Sequence, residues 1–233
     1  MTAVLEASGL AKSYAGEDGG TVDVLAGLDL AVARGEFIAI TGASGVGKST
    51  LLHCLGALDR PTAGTVRLDG VDVGSLTPPA LAALRNQRIG FIFQFHHLLR
   101  EFSALENVMM PLLIAGRPED EARSRAAEAL EAMGLTPRAA HRPAKLSGGE
   151  QQRVAVARAV VIRPSVVLAD EPSGNLDAHN AERLHDLFAT LGSRFGTAVV
   201  AVTHNPALAQ RADRVLSLVE GRLVDAAPRP TDA

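Results

Sequence analysis

The N-terminal part of the chain alternates apolar and polar residues over short stretches separated by glycines. Val4 to Ser13, Val24 to Ala33 and Thr65 to Leu68 show the period of two that gives a strand one buried and one solvated face. Phe37-Ile38-Ala39-Ile40 breaks that alternation. Its unbroken apolar run predicts a strand covered on both faces, as do Val166 to Ala169 and Ala198 to Val202. Helical periods lie between these runs. A helix is expected over Lys48 to Leu58. Another begins at Pro118, with Glu119, Asp120 and Glu121 in its first turn, an apolar face of Ala122, Ala126, Ala129, Leu130 and Met133, and a stop at Gly134. Gln151 to Val161 is strongly helical, and Leu184, Leu187, Phe188 and Leu191 mark an amphipathic helix. The strand–helix–strand alternation predicts a parallel sheet with helices on its faces. No internal repeat interrupts the pattern, and Ala226 to Ala233, rich in Pro and Ala, is expected to fray.

Composition narrows the picture. The chain has 233 residues, 47% of them hydrophobic and 21% charged, enough for one large globular domain with a full core. The net charge of −3 gives no electrostatic footprint for nucleic acid. The sequence Met1 to Glu6 lacks the regions of a signal peptide, and no apolar run approaches the roughly 20 residues that span a bilayer. The longest, Val108 to Ala115 and Ala198 to Val202, are short, and Pro111 interrupts the first. Any membrane role therefore calls for a partner that supplies the spans. The single cysteine, Cys54, sits among Leu51, Leu52 and Leu55 and reads as a small buried hydrophobe in a reducing compartment. The only lysines are Lys12, Lys48 and Lys145, so a lysine closing a glycine-rich loop is not background.

That loop is Gly42-Ala43-Ser44-Gly45-Val46-Gly47-Lys48-Ser49, followed by Thr50. It fits G-x-x-x-x-G-K-[ST] between an expected strand and an expected helix. There, backbone N–H groups and the helix N-terminus can cradle phosphates, the lysine can reach the β- and γ-phosphates, and the serine hydroxyl can meet Mg²⁺. The motif alone does not separate a kinase, a GTPase and a transporter ATPase. A second element is the buried run ending in Asp170-Glu171. Adjacent strand residues face opposite ways, so the two acids divide their work. Asp170 is placed to hold Mg²⁺, and Glu171 to orient and deprotonate an attacking water.

Leu146-Ser147-Gly148-Gly149-Glu150-Gln151-Gln152-Arg153 opens a helix, and Ser147 with Glu150 forms a capping-box pattern. Two glycines weaken a first turn. Close approach of a γ-phosphate to the backbone would account for them. This segment resembles the signature sequence of ABC-transporter ATPases, and the resemblance covers essentially the whole chain. It implies that Ser147, Gly148 and Gly149 contact the nucleotide held by a second copy of the chain, so that two chains form a head-to-tail dimer. It also implies that Gln94 senses the γ-phosphate and Mg²⁺, that Ser173-Gly174-Asn175-Leu176-Asp177 crosses the dimer interface, that His204 is the switch histidine, and that Tyr14 stacks on adenine. The fold it implies is an α/β P-loop NTPase core with a parallel sheet, an N-terminal antiparallel β subdomain and a helical subdomain at about 95–160, all in one domain over 1–225.

Within that family, Gln94-Phe95-His96-His97-Leu98-Leu99 resembles the ATPases of lipoprotein-releasing systems. Leu51-Leu52-His53 and Leu58-Asp59 agree with the same subgroup. Ser173 departs from the usual threonine and Asn205 from a frequent aspartate. The resemblance implies a peripheral location on the cytoplasmic face of the inner membrane and two integral membrane subunits as partners, with Phe95, His96, Leu98, Leu99 and Phe102 lining a groove for them. Macrolide-exporter and cell-division ATPases share much of the same surroundings and stand as alternatives. Adjacent His96 and His97 cannot converge on one metal ion. A nucleic-acid-associated ABC protein would bring a second such domain or a long insertion, and a small-molecule kinase has no use for the segment Leu146 to Arg153.

Overall fold

The computed structural model describes residues 3–16, 19–174 and 176–226, apart from the side chains of Ser193 and Arg194. The alternating N-terminal runs form β1 (Ala3–Ala15) and β2 (Thr21–Ala33). These pair antiparallel and continue through β4 (Ala63–Leu68) and β5 (Val71–Asp72) in the order β2-β1-β4-β5. The three unbroken apolar runs become β3 (Phe37–Thr41), β7 (Val166–Asp170) and β8 (Ala198–Val202) of a second sheet, which β6 (Ile89–Ile92), β9 (Arg214–Val219) and β10 (Arg222–Asp225), not expected from the sequence, complete. Its order is β10-β9-β3-β8-β7-β6, parallel except at the β9–β10 hairpin. Every residue of β8 is buried, which a strand covered on both faces requires.

One apolar cluster fills the space between the two sheets and α1 (Lys48–Leu55), with Cys54 inside it. Burial pushes the Cys54 thiol up to about 11, so it is an inert part of the packing, as expected. The second cluster joins the other face of the parallel sheet to α3 (Ala104–Ile114), α4 (Glu119–Ala132), α5 (Gly148–Val160) and α6 (Ala178–Phe195). There Phe188 of α6 meets Phe37 edge-on at 6.3 Å. Two short helices, α2 (Pro78–Arg88) and α7 (Pro206–Ala209), complete the chain.

The sequence-based spans shift in three places. The helix expected to Leu58 ends at Leu55, because Gly56 closes it and Ala57 turns left-handed at φ 52°. Helix α2 was not expected, and α3 was covered only by the helical subdomain expected at about 95–160, without bounds of its own. Pro111 lies inside α3, and the signal for that helix was the Ser103–Glu106 capping box, which is fully formed. Of the tail expected to fray, Ala226 donates its N–H to the Val215 carbonyl at 3.1 Å, and the rest lies outside the described residues.

Candidate nucleotide site

The parallel strands β3, β8, β7 and β6 all end on one edge of the sheet, and the chemistry-bearing residues follow those ends. Between β3 and α1, Gly42 has φ 150° and Gly47 φ 105°. A Cβ at Gly42 would come within 2.7 Å of the Leu218 carbonyl oxygen, and one at Gly47 within 2.6 Å of Val24, so only glycine fits either position. Lys48 Nζ donates to the Gly42 and Ala43 carbonyls at 2.8 Å each, which holds the ammonium back over the loop. Gly47 caps α1 without a side-chain acceptor, so the first-turn N–H groups keep their capacity for an anion. Ala43, Ser44, Gly45 and Ser49 are exposed, with Val46 and Thr50 half-buried.

Asp170 ends β7 opposite Val202. Glu171, the next residue, is left-handed at φ 43°, an uncommon conformation for a side-chain-bearing residue that concentrates at functional sites. Its carboxylate is held from three sides. His204 Nδ1 lies 2.8 Å from one oxygen, while Thr203 Oγ1 and the His204 N–H donate to the other at 3.2 and 3.3 Å. Its own N–H donates to the Val202 carbonyl at 3.0 Å. The Glu171 side chain is 14% exposed and that of His204 72%, so the acid is seated and the histidine reaches outward. Buried Thr203, invisible as a candidate in the sequence, is one of the groups that aim Glu171. Gln94, just past β6, packs against Gly174, where a Cβ would sit 3.1 Å from its amide nitrogen. Asn175 lies outside the described residues.

Tyr14 stands on β1, in the other sheet, with its ring 40% exposed. Its hydroxyl donates to Asp59 at 2.7 Å, and Lys12 Nζ bonds the same carboxylate at 2.7 Å while lying 4.7 Å from the ring centroid. The hydrogen bonds of Lys12 and Tyr14 hold the Asp59 carboxyl below its ordinary value, and the bond to Asp59 raises Tyr14 and Lys12. The exposed ring is thus fixed in place, although neither Lys12 nor Asp59 stood out in the sequence for this role.

Ser147, Gly148 and Gly149 open α5 elsewhere in the fold. Among the described residues, no hydrogen bond or ion pair joins them to the phosphate loop. Ser147 and Glu150 complete the capping box. Gly149 has a cause within its own chain: a Cβ there would meet Asn180 at 2.7 Å. Asn180 in turn accepts from Arg153 and donates to Asp177. The Asn180 side chain is a second reason for a small residue at that position, beside the backbone approach inferred from the sequence. Ser147 and Gly148 remain exposed. Arg138 at 2.8 Å, with the Ser147 N–H, brings the Glu150 carboxyl from 4.5 to about 2. This stabilisation is present above about pH 4.5 and is lost as pH falls toward 2. Amide exchange in the first turn of α5 is accordingly expected to accelerate over that window and not to do so in Glu150→Gln. Identical pH profiles for the two proteins would remove the charge from the cap.

The profile of the ABC transporter family matches residues 25–174. A lipoprotein-releasing system ATP-binding protein LolD from Bacteroides fragilis is 51% identical, over 95% of this chain and 100% of its own length. One from Geobacter metallireducens is 54% identical, over 96% and 99%. The chain belongs to the ABC transporter family. Among solved structures, the dimeric ATP-binding cassette MJ0796 in a post-hydrolysis state with ADP and Pi has a TM-score of 0.87 at 38% identity, covering 94% of this chain and 96% of that one. The ABC ATPase fold expected from the sequence is therefore the fold of this chain.

In this ABC transporter subunit, the residues expected to line a partner groove are divided between solvent and the interior. Phe95, Leu99 and Phe102 are exposed, but Leu98 packs against the second core cluster, and His96 turns inward with its Nε2 buried and unpartnered. The apolar hollow beside them, about 420 Å³, is lined instead by Leu58, Phe91, Phe93, Pro111, Ile114 and Ile162. Phe91 and Phe93 stack at 5.7 Å within it, and Gly56 leaves the room for the Phe91 ring, which a Cβ there would meet at 2.4 Å. Side chains from β6, α3 and α5 meet in this hollow, and the run Gln94 to Phe102 only borders it.

Proposed function

We propose that this chain is the ATP-hydrolysing subunit of a transporter that releases lipoproteins from the inner membrane, acting peripherally on its cytoplasmic face. The observation that carries the reading is the seating of Glu171 by Thr203 and His204 at the strand ends beside the phosphate loop, in a chain with LolD relatives over nearly its full length. ATP binds with its adenine on Tyr14 and its phosphates on Gly42 to Thr50. Ser49, Asp170 and Gln94 offer the hard oxygen donors that suit Mg²⁺, which in nucleotide sites takes few protein ligands beside the phosphates and would neutralise their charge. Glu171 orients the water and takes its proton, and His204 holds the carboxylate toward the γ-phosphate. Two chains close head to tail, so that the exposed Ser147 and Gly148, with the Gly149 backbone, complete the partner copy's site. The dimeric cassette MJ0796 supports that arrangement.

Two integral, LolC/LolE-like membrane subunits supply the spans, since no helix among the described residues is long and apolar enough to cross a membrane. The hollow at Phe91 and Phe93 is their docking groove. Arg158 links it to the site, because its guanidinium donates to the His97 and His96 carbonyls at 2.8 and 2.9 Å, just beyond Gln94. Ile114 is 67% exposed on the groove, so Ile114→Glu is expected to fold and to hydrolyse ATP but to lose membrane recovery. Undiminished recovery on fractionation would place the groove elsewhere. Depletion of the protein from cells should strand lipoproteins in the inner membrane. Normal sorting would instead favour a macrolide-exporter-like or cell-division role.

A further inference from the structure

Two hollows meet at Ile162. One is the apolar groove, whose charged lining residues are Arg85 and Arg158. The other, about 380 Å³, is lined by Arg88, Arg117, Arg125 and Arg163. Neither has an acidic lining residue, although the whole chain carries more acids, 26, than Lys and Arg, 23. Such a one-signed concavity on an acidic protein is set apart from its background.

The guanidiniums of the groove are oriented but not neutralised. Arg158 is fixed by the His96 and His97 carbonyls, and Arg85 by the Ala57 carbonyl at 2.9 Å. Among the described residues neither has a carboxylate within ion-pair distance. Burial alone pushes Arg158 below its ordinary value. In the second hollow, Arg88 lies 3.7 Å from Asp69 and Arg125 3.4 Å from Glu121, while exposed Arg117 and Arg163 have no ion pair among the described residues. Arg158 is half-buried, and three of its five N–H donors are left over after its two carbonyl bonds, free to meet an anion.

We infer that the segment filling the groove is an amphipathic stretch of the membrane subunit that carries carboxylates. Its apolar side packs on Phe91 and Phe93, one acid meets Arg85 and Arg158, and further acids lie over Arg117 and Arg163. This rests on the docking reading above and names the partner's chemistry. A lipid phosphate fits less well. The arginines flank an apolar groove, and half-buried Arg158 lines its wall beside Phe91 and Phe93, where an apolar segment carrying an acid fits and a headgroup on a flat bilayer surface meets only the rim. The pairing also has a consequence for coupling. A carboxylate on Arg158 contacts the group that holds the His96 and His97 carbonyls, so occupancy of the groove bears on the position of the loop that carries Gln94.

The test uses the full chain rebound to inner membranes stripped of peripheral proteins, at increasing NaCl. Arg117→Glu/Arg163→Glu changes two exposed side chains away from the nucleotide site, so its basal ATP hydrolysis should match the parent. Its half-saturating concentration should rise about tenfold or more at low salt. Binding of the parent should weaken with salt as screening grows, while the residual binding of the variant should respond less. Ile114→Glu should fail to rebind at every salt concentration. If the double variant rebinds like the parent while Ile114→Glu does not, the acidic partner is overturned and the groove stands. If Ile114→Glu also rebinds, the groove falls with it. If protein-free phosphatidylglycerol vesicles, but not phosphatidylcholine vesicles, capture the parent and not the double variant, the anion is a lipid phosphate and the inference is overturned.

Discussion

Glu171→Gln is expected to bind ATP normally and to hydrolyse it about 10²- to 10⁴-fold more slowly, the range for removal of a positioned general base. The substitution preserves size and one acceptor oxygen, so the Thr203 and His204 N–H contacts at 3.2 and 3.3 Å can persist. It removes the proton acceptor and the negative charge facing His204 Nδ1. The seat is made by the backbone, through the left-handed Glu171 and its N–H bond to Val202, so the loop should keep its shape. With ATP bound and not consumed, the closed head-to-tail dimer should accumulate and elute at twice the monomer mass on gel filtration. Turnover near that of the parent would take Glu171 out of the reaction.

The second large effect concerns the shared site. Lys48→Ala removes an ammonium that the structure holds over the loop by two carbonyls, and should abolish nucleotide binding in its own half-site. Ser147→Arg should leave that half-site intact and block the partner's. Loss of the Ser147 cap costs only about 1 kcal/mol, against the buried contacts that hold α5 along much of its length, so the variant should fold. Each homodimer should be inactive. A mixture should recover activity, because the mixed dimer holds one composite site with a native lysine and a native serine. Mixed dimers that demonstrably form and stay inactive would overturn the head-to-tail arrangement.

Much of the nucleotide site was legible because its parts are local. A phosphate loop is a strand, a turn of glycines and a helix start within a few consecutive residues, and its chemistry survives translation into a sequence pattern. The Asp170-Glu171 pair was legible for the same reason, being the end of one buried apolar run. The signature segment was legible as a pattern, but one of its packing contacts was not. Gly149 packs against the Asn180 side chain, a contact between distant parts of the chain that no local period encodes. The bounds of helix α3 were not legible, because Pro111, a residue that usually ends a helix, lies inside it, while its start is marked only by the Ser103–Glu106 capping box.

The amino-acid sequence by itself determined β1 to β4, β7 and β8, the phosphate loop, the acid that follows β7 and the family, since periodicity and contiguous motifs are properties of neighbouring residues. Tertiary structure decided what aims those groups and which apolar side chains stay exposed. Thr203 reaches Glu171 only because β7 and β8 are adjacent strands. Lys12 and Asp59 steady Tyr14 only because α1 ends beside β1, and Arg158 grips the His96 and His97 carbonyls across 62 and 61 residues of chain. The run Gln94 to Phe102 looked like a docking surface as a string of apolar residues. Packing left Phe95, Leu99 and Phe102 exposed and Leu98 and His96 half-buried, with a hollow over Phe91 and Phe93 beside them, because which side of an irregular segment faces solvent is set by the helices against it and not by its own order.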